Sequence, residues 1–379
     1  MKFVLFYHSL VSDWNHGNAH FLRGVVAELL DRGHEVDVYE PADGWSRSNL
    51  VAEHGSAPLV EFSERFPLLR SRTYDERTDL DCALDGADVV IVHEWNAPDF
   101  VARIGRQARS AHHACVLFHD THHRCVTAPR EMQRYDLRDF DGVLAFGEAV
   151  RQRYLENGWC ARVWTWHEAA DTRVFRPIQS MGHDRDLVWI GNWGDGERSR
   201  ELQEYLFSPV EALGLSASIF GVRYPREALS ALERVGIEYR GWLPNHRVPE
   251  VFARSRFTVH VPRRPYATAL PGIPTIRMFE ALACGVPLVS GPWDDAEGLF
   301  APGEDYLVAS DGEDMRRKLR WLSRDTAFAE ELSSRGLRTI RARHTCAHRV
   351  DELLGLVERI RAPHHGTVPA GYMKEIVHA

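Results

Sequence analysis

Along the chain, short apolar runs alternate with longer stretches in which apolar residues recur every three or four positions. "KFVLFYHSL" reads as a buried strand, followed by the glycine-bearing loop "VSDWNHGNA". In "HFLRGVVAELLDRGHE", the positions Leu22, Val25, Val26, Leu29 and Leu30 form one core-facing helical stripe, which Gly33 ends before the strand "EVDVYEP". The pattern recurs at "ADVVIVH" before "EWNAP", at "HACVLFH" before "DTHHR", at "FDGVLAFG" before "EAVRQRYLENG" and at "ARVWTW". The segment "HEAADTRVFRP" closes this half near Pro177, and "IQSMGHDRD" reads as a linker. A second series opens on "LVWIGNWGDGERS" and the helix "RELQEYLF", continues through "SASIFGV", "IEYRGWLPN", "VPEVFARS" and "FTVHVP", and ends on "DYLVAS" and helices to about Ile360.

Strands that alternate with helices predict parallel sheets, and 379 residues exceed one ordinary core. The expected fold is α/β, with two Rossmann-like doubly wound domains facing across a cleft. Residues 1–177 form the first domain and 178–345 the second, while 346–379 supply a C-terminal helix and tail that could cross back to the first. Ligands are expected at the carboxyl ends of the strands. In "GIPTIRMFEALACGVPLVSG", Pro274 reads as a first helical residue and Gly285 as the stop, with a short strand "PLVSG" beyond. Arg277 and Glu280, three apart, share one side of this otherwise apolar helix. They are either an ion pair on a solvated face or a cleft-lining pair that binds a polyhydroxylated anion.

Hydrophobic content of 44% and charged content of 26% fit a soluble globular protein. No apolar run reaches the ~18–20 residues of a membrane helix, and "MKFVLFYHSLVSDW" reads as a first strand, not a signal peptide. A formal charge of −8 argues against a nucleic-acid binder with a basic surface. The six cysteines are scattered without a C-x-x-C pair, which predicts reduced thiols and a cytoplasmic protein. In "HHACVLFHDTHHR", His119, Asp120, His122 and His123 are suitable metal-ligand types, but adjacent loop residues seldom all point inward, and no metal is expected.

With these segments placed, the chain resembles the GT-B glycosyltransferases. The similarity lies closest to the retaining, family 4-like group and, within it, to the CgeB-like, spore-maturation-type branch. It rests on "HFLRGVVAELLDRGHEVDVYEP", "HEAADTRVFRP", "IEYRGWLPNHRVPEVFARSRFTVHVP" and "RMFEALACGVPLVSG", in that order. The resemblance implies transfer of a sugar from a nucleotide-diphosphate sugar, without metal or other cofactor and with retention, to an unidentified small-molecule, glycan or protein acceptor. The family's donor motif has two glutamates eight positions apart. Glu280 matches the second, which binds ribose hydroxyls; the first, which contacts the donor sugar, falls on Gly272, beside Ile273. "VPRRPYATALPG" is longer than the family's usual loop, and Arg263 or Arg264 could replace the missing contact.

A diphosphate leaving group needs fixed positive charge or oriented amides. The turn "GNWGDG" offers Gly191 and Asn192 at a helix N-terminus, with Arg198 after it and Arg277 able to reach by its planar fork. Gly241 and Trp242, or Leu243, are expected at the nucleobase. In the first domain, Asp13, Gly17 and Asn18 are acceptor-side candidates, and His16 could contact donor or acceptor hydroxyls. The resemblance puts His119 at the donor sugar, near the anomeric carbon, and Glu94 could position the acceptor. The bland alternatives are a surface arginine, core packing for Trp242 and His119, and a helix-capping Asn18. Retention needs no protein base; inversion would use Asp13, His16 or Glu94. The rivals are a nucleotide-sugar epimerase of the same architecture and a non-catalytic sugar-nucleotide-binding or spore-surface structural protein.

Overall fold

The computed structural model describes residues 1–179, 182–194 and 196–362. The tail from 363 onward, residues 180–181 of the linker and Asp195 of the glycine turn lie outside the described residues. Strands β1 (Lys2–Phe6), β2 (Glu35–Pro41), β3 (Ser71–Tyr74), β4 (Val89–His93), β5 (Cys115–Asp120), β6 (Gly142–Ala145) and β7 (Val163–Thr165) form a sheet in the order β3-β2-β1-β4-β5-β6-β7. Every pairing is parallel; Leu5, for example, faces Val38 on one side and Ile91 on the other. Strands β8 (Arg185–Ile190), β9 (Ala217–Phe220), β10 (Ile237–Tyr239), β11 (Ser255–His260), β12 (Leu288–Ser290) and β13 (Leu307–Val308) form a second sheet, β10-β9-β8-β11-β12-β13. Both sheets reverse direction beside their first strand, between β1 and β4 and between β8 and β11. Those are the crevices where such folds bind ligands. Strands such as Phe3–Phe6 are buried along their length because helices cover both faces of a parallel sheet.

Three elements depart from the sequence pattern. Residues 42–86, which gave no periodic signal, hold the helices Trp45–His54 and Ala57–Arg65 and the edge strand β3. The sequence of β3, SRTY, buries little beyond Tyr74, so it carries neither an apolar run nor an alternation. The helix after the glycine turn is interrupted: α-helical Ser199–Leu202 passes through a π-turn at Gln203–Phe207 before Ser208–Leu213. The donor-side helix begins at Ile276, with Thr275 as its N-cap, so Pro274 precedes the helix; Gly285 follows its C-cap with φ +66°.

The last helix, Cys346–Arg361, packs on the first, Ala19–Asp31. The close approach depends on Gly24, where a Cβ would lie 2.4 Å from Cys346 Sγ. Arg32 pairs with Asp351 at 2.6 Å, the Trp166 indole donates to the Arg349 carbonyl at 2.9 Å, and Arg361 reaches Asp88 at 2.9 Å. The chain therefore crosses between the domains twice. The two crossings are hydrogen-bonded together, Ala170 N to His344 O and Cys346 N to Ala170 O, both at 3.0 Å. Among the described residues, no helix is long and apolar enough to cross a membrane.

Candidate active site in the interdomain cleft

A cleft of about 590 Å³ lies between the carboxyl ends of the two sheets, within the ~300–1,000 Å³ typical of ligand sites. The loop after β1 brings Asp13, His16, Gly17 and Asn18 to it, and the loop after β5 brings Thr121, His122 and His123. From the second domain come Gly191, Asn192 and Arg198 after β8, Val222 and Arg223 after β9, Trp242 and Leu243 after β10, Arg263 after β11, and Thr275 to Arg277. Four lining side chains carry a buried nitrogen with no hydrogen-bond partner: His16 Nε2, His122 Nδ1, Arg198 Nε and Asn245 Nδ2. Each such atom costs about 1–3 kcal/mol, so their concentration marks a surface built for a polar ligand.

The donor side is an arginine cluster. Arg198 Nη2 donates to the Asn192 carbonyl at 2.7 Å and to Asn192 Oδ1 at 2.8 Å, while its guanidinium lies 5.0 Å from the Trp189 ring. Arg263 donates to the same Oδ1 at 3.1 Å and to Glu197 at 2.7 Å. Burial pulls Arg198 down to about 9, and the charges of Arg263 and Arg277 add to the effect. Positive charge is thus held out of water, with too few carboxylates nearby to balance it. Asn192 also bonds Asn15 across the cleft. Gly221, Val222 and Leu243 leave an apolar wall beside this cluster.

Four expected donor residues do not face the cleft, and their roles are corrected. Glu280 is 0% exposed. Its Oε1 accepts from His20 Nδ1 at 2.9 Å, and its Oε2 accepts from Arg277. His20 Nε2 accepts the Asp171 amide at 2.8 Å, which leaves the proton on Nδ1 and the ring neutral. Glu280 is a strut between the domains, and of the pair only Arg277 reaches the cleft. Gly272 sits at φ +83°, where a Cβ would lie 2.7 Å from Glu297 Cγ, so a glutamate there would be strained. Glu297 instead crosses the seam, accepting the Glu148 amide at 2.9 Å and lying 3.0 Å from His167. Ile273 is buried against Gly147 of the first domain. Gly241 meets its own sheet, its carbonyl accepting from Gly221, while its neighbour Trp242 lines the cleft.

On the first-domain side, Asn18 donates to Thr121 Oγ1 at 2.6 Å, and Gly17 lets the loop approach Ile276, whose Cγ2 would lie 3.0 Å from a Cβ at that position. Asp13 borders the cleft but is not available as a base. It accepts from Arg23 and the Asn245 amide, both at 2.9 Å, and from the Trp242 indole at 3.1 Å. His119 and Glu94 lie behind the cleft wall, a second correction. His119 Nδ1 bonds Tyr7 OH at 2.6 Å in a box with Phe21 and Trp166. Glu94 is fully buried behind Thr121. Both strand ends are capped by the next loop, which sequence spacing does not register. Residues missed altogether include His20, Thr275, Tyr266 and Glu168, the last buried with Oε1 unpartnered. Among the described residues, no group of three or more His, Cys, Asp or Glu is placed to hold a metal ion.

Buried acids and histidines set an expected pH profile. Burial lifts Glu94 to about 7; burial and then Glu94 lift Asp120 to about 7; burial, Glu280 and then Glu94 lift Glu168 to about 8. A raised carboxyl favours the fold while protonated, so its contribution is lost as pH climbs through these values. Burial lowers His8 to about 4, and His16, His93 and His119 well below their usual value. Their contribution is complete above about pH 6.5 and is lost below it. The melting temperature should therefore peak near pH 6.5, and Glu168→Gln should raise it by a few degrees at pH 8.5. A wild-type melting temperature that climbs steadily from pH 6 to 9 would contradict this.

Two doubly wound domains with the ligand cleft between them define the GT-B class, and the protein has that fold. More particularly, residues 198–355 match the family model described as glycosyl transferase-like (Glyco_trans_1_2). Among solved structures, sucrose-phosphate synthase from Thermosynechococcus elongatus superposes with a TM-score of 0.66 at 14% identity, covering 95% of this chain and 99% of that one. Anabaena Alr3699/HepE in complex with UDP-glucose has a TM-score of 0.66 at 13% identity, covering 94% and 100%. An alpha-glucosyltransferase in complex with UDP and a 13-mer DNA has a TM-score of 0.65 at 14% identity, covering 94% and 99%. No curated protein matches the chain by sequence.

Proposed function

We propose that the protein is a glycosyltransferase that moves a sugar from a nucleoside-diphosphate sugar to a hydroxyl acceptor. The observation that carries this reading is the convergence of Arg198, Arg263 and Arg277 on one end of the cleft, where a diphosphate would neutralise desolvated guanidinium charge. Uridine is the first base to try, because HepE was solved with UDP-glucose. The arginines supply the charge stabilisation that the leaving group needs, which supports metal-independent transfer. We assign the chain to the CgeB-like, retaining branch on the segment "RMFEALACGVPLVSG".

In a retaining step the C1–O bond to the diphosphate breaks, and the departing phosphate oxygen takes the acceptor proton on the same face. Among the described residues Asp13 is the one carboxylate on the cleft wall and it is fully engaged, which favours a reaction without a protein base. A second reading is inversion with neutral His16 as base, favoured by its unpartnered Nε2. The anomer of the product, read by NMR, separates the two. The six cysteines are free thiols, in keeping with a reducing compartment, and we place the protein in the cytoplasm.

The test is thermal stabilisation by UDP, ADP, GDP and dTDP and their sugars. A nucleotide at a hundred times its dissociation constant adds about 2.7 kcal/mol. A shift with one nucleotide, followed by its release when sugar transfers to an acceptor, is the expected result. Stabilisation by none of them would end the glycosyltransferase reading, and turnover of the sugar without an acceptor would favour an epimerase.

A further inference from the structure

Three neighbouring strands of the first sheet, β2, β1 and β4, each deliver one aromatic ring just beyond their carboxyl ends. Trp45 follows β2, His8 follows β1 and Trp95 follows β4, and all three line the cleft. The strands run about 4.8 Å apart, and the rings fall into a row with the same order. The His8 ring centre is 6.0 Å from that of Trp45 and 5.7 Å from that of Trp95. Trp45 is 43% exposed and Trp95 45%, while His8 between them is buried. Two large apolar rings held open to solvent on a cleft wall are a cost unless something covers them.

We propose that Trp45, His8 and Trp95 form the acceptor subsite and that it takes a neutral carbohydrate, whose apolar ring faces stack on the two indoles. The assignment rests on the glycosyltransferase reading above. An indole offers a flat apolar body to the C–H face of a pyranose, and the row is long enough for two consecutive sugar rings. Polar partners for the hydroxyls lie beside it: His16 Nε2 and His122 Nδ1 are buried, border the cleft and have no hydrogen-bond partner. The histidines here are held neutral by burial, His8 at about 4 and His122 at about 2, so the wall carries little charge.

That distinguishes a sugar from a nucleic-acid strand, which would also stack on indoles but needs positive groups along its phosphates. The first-domain guanidinium beside the row, Arg124, lies 4.8 Å from the Trp95 ring and donates through Nη2 to the Glu94 carbonyl at 2.7 Å. The arginines that line the cleft among the described residues, Arg198, Arg223, Arg263 and Arg277, come from the second domain, where the donor diphosphate takes up positive charge.

The experiment is saturation-transfer NMR of the full chain with UDP present. The probes are maltose, cellobiose, lactose, mannobiose and xylobiose, with an eight-nucleotide thymidine strand as the competing class. The expected result is transfer to the ring C–H protons of at least one disaccharide. The signal should drop at least fivefold in Trp45→Ala and Trp95→Ala, persist in Trp45→Phe, and leave the UDP-induced melting shift unchanged. No tryptophan-dependent signal from any disaccharide, or one from the thymidine strand, overturns the proposal. A wild type that shifts with UDP yet fails on sugars overturns the acceptor assignment alone. A wild type that shifts with no nucleotide removes the donor reading as well.

Discussion

Arg198→Met should erase the melting shift that the nucleotide diphosphate induces, while the ligand-free protein melts within a few degrees of wild type. The asymmetry follows from where the charge sits. Methionine keeps an unbranched stem against the Trp189 ring and removes a guanidinium that burial and two neighbouring arginines disfavour. The lost hydrogen bonds to Asn192 are offset in the ligand-free protein by relief of that desolvated charge. In the complex nothing offsets them, because a charge-assisted hydrogen bond to phosphate is worth about 1.5–3 kcal/mol. The dissociation constant for the diphosphate should rise about 10- to 150-fold, and turnover should fall by at least as much, since leaving-group charge is greatest in the transition state. The measurement is calorimetric titration with UDP of wild type and variant. Unchanged affinity in a well-folded variant would remove Arg198 from the donor site, and the arginine cluster would no longer support the proposed function.

Much of this architecture is legible in the chain because its signals are local. The stripe Leu22–Leu30 and the run Val89–Val92 announce a helix and a strand whatever surrounds them. Alternation of such units implies parallel sheets, and parallel sheets put ligands at strand ends. Gly191, Asn192, Trp242 and Arg263 are legible as cleft-lining for that reason, since each follows a strand within three residues, and Arg198 follows β8 by eight, just past the glycine turn. What stays hidden is which loop side chains turn into the cleft and which into the seam between domains. His119 and Thr121 are two residues apart; Thr121 lines the cleft and His119 bonds Tyr7 behind it. Gly272 and Ile273 look like donor-loop residues by position, yet they are the contact that Glu297 and Gly147 make across the seam. His20, on the first helix, carries no motif, and its partner Glu280 lies 260 positions away. Nothing in the sequence relates Trp45 to Trp95 until the sheet order sets β2 and β4 on either side of β1.

Glu280→Ala is the change expected to cost the fold most, and it separates the strut from a ribose ligand. The carboxylate is fully buried and satisfied on both oxygens, by His20 from the first domain and by Arg277 from its own helix. His20 is fixed in turn by the Asp171 amide and by stacking on Phe175 at 3.8 Å. Truncating Glu280 leaves the His20 N–H without an acceptor, opens a void in the apolar seam, and frees Arg277 beside the other arginines of the cluster. Removing one member of a buried pair typically costs about 3–5 kcal/mol, which in a chain of this size is a fall of about 4–6 °C in melting temperature. Affinity for the nucleotide should weaken only severalfold, because Arg277 remains in the cleft without its orienting partner. Glu280→Gln, which can still accept from His20, should recover part of the stability. A direct ribose contact predicts the reverse order: near-native melting with nucleotide binding lost. Measuring both quantities on both variants decides between the strut and the ligand, and the buried geometry predicts the strut.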